Sequence, residues 1–208
     1  MKAFFPILIF FSLLTANAQP YYTRNVVRRG DEVYLRGFRP QLQKGKTCAF
    51  YSTSMILDYY GQYVSAQKLR KTNQLTQQTP PKKTSKFISQ KLESLGFTYI
   101  YTNEKSCDFF CKTIKFSIDH GIPVRWECDL KFSPIPKERK GKLTMHARII
   151  MGYVGRTQIT HIIYADSWGE NALHKIMDIE HAHKMTRKYG PVFPKKDSKE
   201  ILEGFKNL

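Results

Sequence analysis

The chain has 208 residues, 41% of them hydrophobic, and a formal net charge of +17. That length suits one domain with a full core, and the charge favours anionic partners while saying nothing about fold. No C-x-x-C pair joins any of the four cysteines, Cys48, Cys107, Cys111 and Cys128, which argues against a zinc knuckle.

Lys2 precedes an apolar run from Ala3 to Leu14, and Thr15-Ala16-Asn17-Ala18 places small residues two apart before Gln19. This is the layout of a secretory signal peptide over residues 1–18, cut before Gln19. The run falls short of the roughly 20 residues that span a bilayer. The expected product is secreted or periplasmic. Residues 19–40 lack a sustained period and read as an extended N-terminal arm, leaving 41–208 as the main domain.

Cys48 to Tyr60 is rich in apolar residues and stops at Gly61, the pattern of a buried helix with a glycine stop. Ser65 is placed to cap a short helix through Lys71. "QTPPKKT" reads as a loop. From Thr84 to Leu95, Phe87, Ile88, Leu92 and Leu95 recur at helical spacing before Gly96. "FTYIYT" (97–102) reads as a strand, and Ser106 to His120 as an amphipathic helix.

"IPVRWECDL" (122–130) reads as a strand, "KFSPIPKERKGK" (131–142) as a basic loop. Residues 145–154 and 158–165 read as two strands of a hairpin around Gly155-Arg156-Thr157. "DSWGEN" reads as a turn, followed by a short strand near 174–179 and a helix over about 180–189. Helices first and strands later suggest an α+β fold, a helical half against a mainly antiparallel sheet.

Cys48 stands where a helix begins, and unpaired N–H groups with the positive end of the dipole lower a thiol's pKa there. A catalytic thiolate also needs an imidazole and a group to orient it. His146 opens the first hairpin strand and Asp166 follows the second, so antiparallel pairing brings them to one end. Gln43, five residues before Cys48, is in reach to share an oxyanion hole with the Cys48 N–H. Gln41 competes for that role.

These residues resemble the papain-like cysteine peptidases, most closely the branch related to bacterial peptidases that cut after double-glycine leaders. The resemblance rests on a Gln before a Cys-bearing helix that ends in Tyr59-Tyr60-Gly61. It continues in "HARIIMGYV", in "YADSWGE" and in "HGIPVRW", and covers about residues 41 to 180. It implies a papain-like fold, with Cys48 as nucleophile, His146 as base, Asp166 as orienter and Gln43 as oxyanion donor, acting on a peptide or protein without metal or organic cofactor. One departure is plain: Ala49-Phe50 follows the cysteine where relatives usually carry glycine, often Gly-Pro. Alanine is small and helix-compatible, so the thiol keeps its position.

Each residue also has a structural reading. Asp166 suits a turn, Trp168 suits the core or a lid over the His–Asp pair, and His161 sits mid-strand as a structural residue. His181 and His183 suit a solvated helix face better than a metal. Cys107 and Cys111, one helical turn apart, are poorly placed to bridge each other, whereas Cys128 could pair with either. The leading function is a thiol hydrolase working through an acyl-enzyme. An acyl or amide transferase and a peptidoglycan amidase would use the same four residues. A non-catalytic basic module contacting an anionic envelope or polymer is the third class.

Overall fold

The computed structural model describes residues 25–39, 41–45, 47–71, 81–103, 106–139, 145–168, 174–206 and 208. The expected signal peptide therefore lies outside the described residues. Among those residues, no helix is long and apolar enough to cross a membrane.

A hairpin opens the described chain, β1 (Val26–Arg29) and β2 (Glu32–Leu35). The segment read as an arm thus carries sheet. Three helices follow: α1 (Cys48–Tyr59), α2 (Ala66–Lys71) and α3 (Pro81–Ser94). Helix α3 begins three residues before the expected start, with Pro81 in the first turn, where its missing N–H costs nothing. Strand β3 (Phe97–Tyr99) leads to α4 (Cys107–Asp119), whose N-cap Ser106 accepts from the Phe109 N–H. Then come β4 (Val124–Asp129), a short helix α5 (Pro136–Arg139) inside the expected basic loop, β5 (Met145–Val154), β6 (His161–Ala165) and β7 (Lys175–Asp178).

The end of the chain departs from expectation. Helix α6 spans only Ile179–Met185, and β8 (Thr186–Pro194) follows it. Sequence reading extends the helix into what is a strand. Arg187 and Lys188 hide the alternation there, and β8 gains its place from tertiary pairing, lying between β4 and β3. A last helix, α7 (Ser198–Lys206), closes the chain.

The strands form an antiparallel sheet ordered β1-β2-β5-β4-β8-β3, with β6 and β7 branching from β5. Strand β5 explains the branch. One edge pairs with β6 from Ile149 to Val154, while the other is divided between β4 and β2. Where β2 takes over, a Cβ on Gly152 would lie 2.6 Å from the Val33 carbonyl oxygen. Gly152, near the end of β5, is thus a packing requirement.

Strand β4 is buried at every position. Its Glu127 turns toward α3 and accepts from the Ser85 hydroxyl. On its other face, Trp126 lies opposite Tyr189 of β8, whose ring packs edge-on against Phe110 of α4. Cover on both faces explains why "VRWECD" does not alternate. Helix α1 packs against β5, with Met55, Ile56 and Leu57 fully buried. Each such side chain contributes about 1.5–3 kcal/mol, so the start of α1 is held firmly against the sheet.

In β8, a Cβ on Gly190 would lie 1.7 Å from the Ile100 carbonyl oxygen. Gly190→Ala is predicted to cost about 1–3 kcal/mol, the range for forced overpacking. A urea titration checks this as a lower midpoint with unchanged slope; an unchanged midpoint would contradict the close approach of β8 and residue 100.

Candidate active site

Cys48 is the first residue of α1, and no acidic residue stands in that helix's first turn. Thr47 before it is buried, its hydroxyl donating to the Lys44 carbonyl at 2.7 Å. The sulfur therefore sits at the positive end of a helix anchored by its own apolar faces.

His146 enters from β5. Strand β6 pairs with β5 only as far as Ala165 opposite Ile149, while β5 continues to Met145. The chain leaves β6 at Asp166, beside the unpaired stretch of β5. His146 and Arg148, two apart on one strand, both meet Asp166 there. His146 Nε2 and Asp166 Oδ1 are 2.6 Å apart, and Arg148 Nε donates to Asp166 Oδ2 at 2.9 Å. The Trp168 N–H also donates to Oδ1, at 2.9 Å. Nδ1 of His146 is buried and, among the described residues, has no other hydrogen-bond partner. It is the nitrogen left for Cys48.

Charges in this site reinforce one another. Burial alone would raise the Cys48 pKa, but hydrogen bonding and charge attraction from His146, the Ala147 N–H and Arg125 outweigh it, and the thiol is more acidic than usual. Burial would lower the His146 pKa, yet Asp166 and Cys48 push it up to about 9. Asp166 is also buried, which disfavours its charge; His146, Arg148 and the Trp168 N–H nevertheless hold it well below the usual carboxylate range. The site thus favours a thiolate and an imidazolium, with a carboxylate behind them.

Gln43 is tied to the same turn. Its N–H donates to the Ser167 carbonyl at 2.8 Å, and the Ser167 hydroxyl donates to Gln43 Oε1 at 2.7 Å. The amide nitrogen is thereby turned away from Ser167, and one of its hydrogens is on the Gly45 carbonyl at 2.9 Å. The Trp168 ring stands edge-on to His146, 5.7 Å between centroids, and is 38% exposed. That is the lid position rather than the core.

The remaining candidates lie elsewhere. His161 opens β6 and bonds Thr160, while His181 bonds Asp178 at the start of α6. All four cysteines are free thiols. Cys128, fully buried opposite His146 on β4, bridges neither Cys107 nor Cys111, and burial pushes its thiol up to about 12. Arg148 escapes sequence reading, although it lies two residues beyond His146, the spacing that puts both on one strand face.

The model of the Peptidase_C39 like family matches residues 35–192. The chain belongs to this family. Membership supports a cysteine peptidase-like enzyme, and the resemblance read from the Cys48 helix, the His146 strand and the Asp166 turn holds. Two solved structures share the fold. One is the peptidase domain of Streptococcus ComA, a bifunctional ABC transporter involved in quorum sensing, with 16% identity and a TM-score of 0.52 over 76% of this chain and 96% of that one. The other is a C39-like peptidase from Bacillus anthracis, with 15% identity and a TM-score of 0.54 over 77% and 96%. A search of curated proteins finds no match.

Both oxygens of Asp166 in this C39-like chain accept hydrogen bonds. Whichever way an asparagine turned, its NH2 would face a donor. Asp166→Asn is predicted to cost about 1–3 kcal/mol by leaving a buried donor unmet. It should still slow Cys48 alkylation less than His146→Ala, which removes the ring. Urea titration and alkylation rates check both statements; equal loss in the two variants would contradict the orienting role.

Proposed function

We propose that this protein is an exported thiol hydrolase that cleaves a peptide or amide bond through a Cys48 acyl-enzyme. The observation that carries this reading is the line from Cys48 at a helix start, through His146, to a buried Asp166. The Cys48 thiolate attacks the substrate carbonyl carbon. The developing oxyanion is met by the Cys48 N–H and the Gln43 amide, whose carbonyl end is held by Ser167. His146 donates a proton from the nitrogen facing Cys48 to the leaving amine. It then draws a proton from the water that attacks the acyl-enzyme. Asp166 holds the other nitrogen throughout.

The proposed room for substrate lies beside the neighbouring strand β4. A cavity of about 470 Å³ is lined by Ser85, Ser89, Tyr99, Tyr101 and Glu127, among others. Glu127 lies opposite Ala147 in the β4–β5 ladder, and the Ala147 N–H faces the Cys48 sulfur. Export is supported by the apolar run of residues 3–14 and the small residues before Gln19.

The pH dependence follows from the two shifts. Activity needs the thiolate, so it is lost as pH falls through the depressed Cys48 pKa. It also needs the imidazolium as proton donor, so it is lost as pH rises through the His146 pKa of about 9. Digestion of a mixed peptide library, read by mass spectrometry from pH 4 to 10, should give a bell with its alkaline limb near that value. Cys48→Ala should abolish it. Cleavage that survives Cys48→Ala, or Cys48 alkylation no faster than that of the other three cysteines, would overturn the proposal.

A further inference from the structure

Behind Asp166 lies a second buried charge system that a Cys–His–Asp set does not require. Arg148 is fully buried, its guanidinium packed against the rings of Trp126 and Tyr164 at 5.6 and 5.0 Å from their centroids. Its Nε donates to Asp166 Oδ2, and its NH2 pairs with Glu138 of α5. Glu138 is itself buried and accepts from the Ser133 hydroxyl at 2.5 Å. The Ile135 N–H donates in turn to that hydroxyl, at 3.1 Å. A continuous chain of bonds thus runs from the segment between β4 and β5 into the catalytic centre.

Resting on the proposed hydrolase reading, we infer that Arg148 is a positioning residue, which fixes the plane of the Asp166 carboxylate and so aims the His146 ring at Cys48. A carboxylate at the end of a strand is free to rotate about its side-chain bonds. With only His146 and the Trp168 N–H on Oδ1, it would keep one contact while swinging the other oxygen. The Arg148 fork removes that freedom by taking Oδ2. Planar, fully charged guanidinium suits the task, because it holds a carboxylate on each side at fixed angles. Glu138 fixes the guanidinium in turn and balances its charge, without which a buried cation would be costly. Besides the His146 imidazolium, Lys175 among the described residues also approaches Asp166, its Nζ 3.9 Å from Oδ2. It reaches in from β7 as a flexible point charge and does not set a plane. Cys128 and Tyr164 also border the guanidinium, and burial holds both pKa values up to about 12, so they stay neutral around Arg148.

The test separates aim from charge. Arg148→Met combined with Glu138→Gln removes one buried cation and one buried anion, so the net charge around Asp166 is unchanged. Replacing a buried ion pair by matched neutral groups is often tolerated by the fold. The readout is the iodoacetamide rate at Cys48 against pH, by peptide mass spectrometry. Wild type should label at lower pH than an ordinary thiol. In the paired variant the lower limb should move to higher pH, with the rate at pH 6 falling about tenfold or more, since misplacement of about 1 Å can cost about 10²-fold. A folded variant whose profile superimposes on wild type overturns the inference. Should the pair fail to fold, Arg148→Lys decides: it keeps the charge but reaches only one carboxylate, so its limb should also move upward, and a profile equal to wild type overturns the inference. Slow labelling in wild type itself would count against the hydrolase reading instead.

Discussion

The 2.6 Å hydrogen bond between His146 and Asp166 is possible because β5 outruns β6. Were the two strands equal in length, Asp166 would be a ladder residue with its carboxylate committed to a sheet face. Because the chain leaves β6 at Ala165, its next residue is free to turn toward the side chains of β5. One carboxylate then reaches both His146 and Arg148. The same turn carries Ser167 to Gln43 and Trp168 over the imidazole. The length difference between two neighbouring strands thus gathers Asp166, Gln43 and Trp168 at one corner, while α1 brings the Cys48 thiol.

The sheet around this corner buries charge that ordinary cores avoid. Arg125 and Glu127 pair on one side of β4, and Arg148 joins Glu138 and Asp166 beside the site. An unpaired buried ion costs several kcal/mol, and a buried pair is often no more stable than apolar groups of equal size. These charges are therefore poorly explained by stability alone. Their effect falls on ionisation: Arg125 lowers the Cys48 pKa, and Arg148 helps keep Asp166 anionic. Residues 35–192, which match the Peptidase_C39 like family, contain Cys48, His146 and Asp166. Two buried charge systems lie behind these three residues.

Helix α1 was legible because apolar residues and Gly61 mark both its extent and its burial. The β5–β6 pair was legible from two long apolar runs with a glycine-containing turn between them, and that alone predicted the meeting of His146 and Asp166. Strand β8 was not legible. Its first residues, "TRKY", follow a helical segment without a break, and only pairing with β4 and β3 makes them a strand. The β1–β2 hairpin was missed for a related reason: Arg28, Arg29 and Glu32 dilute its alternation, and its support comes from β5 far along the chain. Arg148 is not legible, because an arginine in a sequence reads as a surface residue. Its burial depends on Glu138 and Asp166, distant in sequence, arriving at the same place.

In the proposed mechanism, Cys48 and His146 rest as an ion pair held from behind by Asp166. Nitrogen NMR of the His146 ring across pH reads it without any substrate. The account predicts an imidazole protonated on both nitrogens at neutral pH, titrating near about 9. Cys48→Ala should lower that value, because the thiolate contributes to it. An imidazole already neutral at pH 7, titrating at or below its reference of about 6.5, would contradict the account.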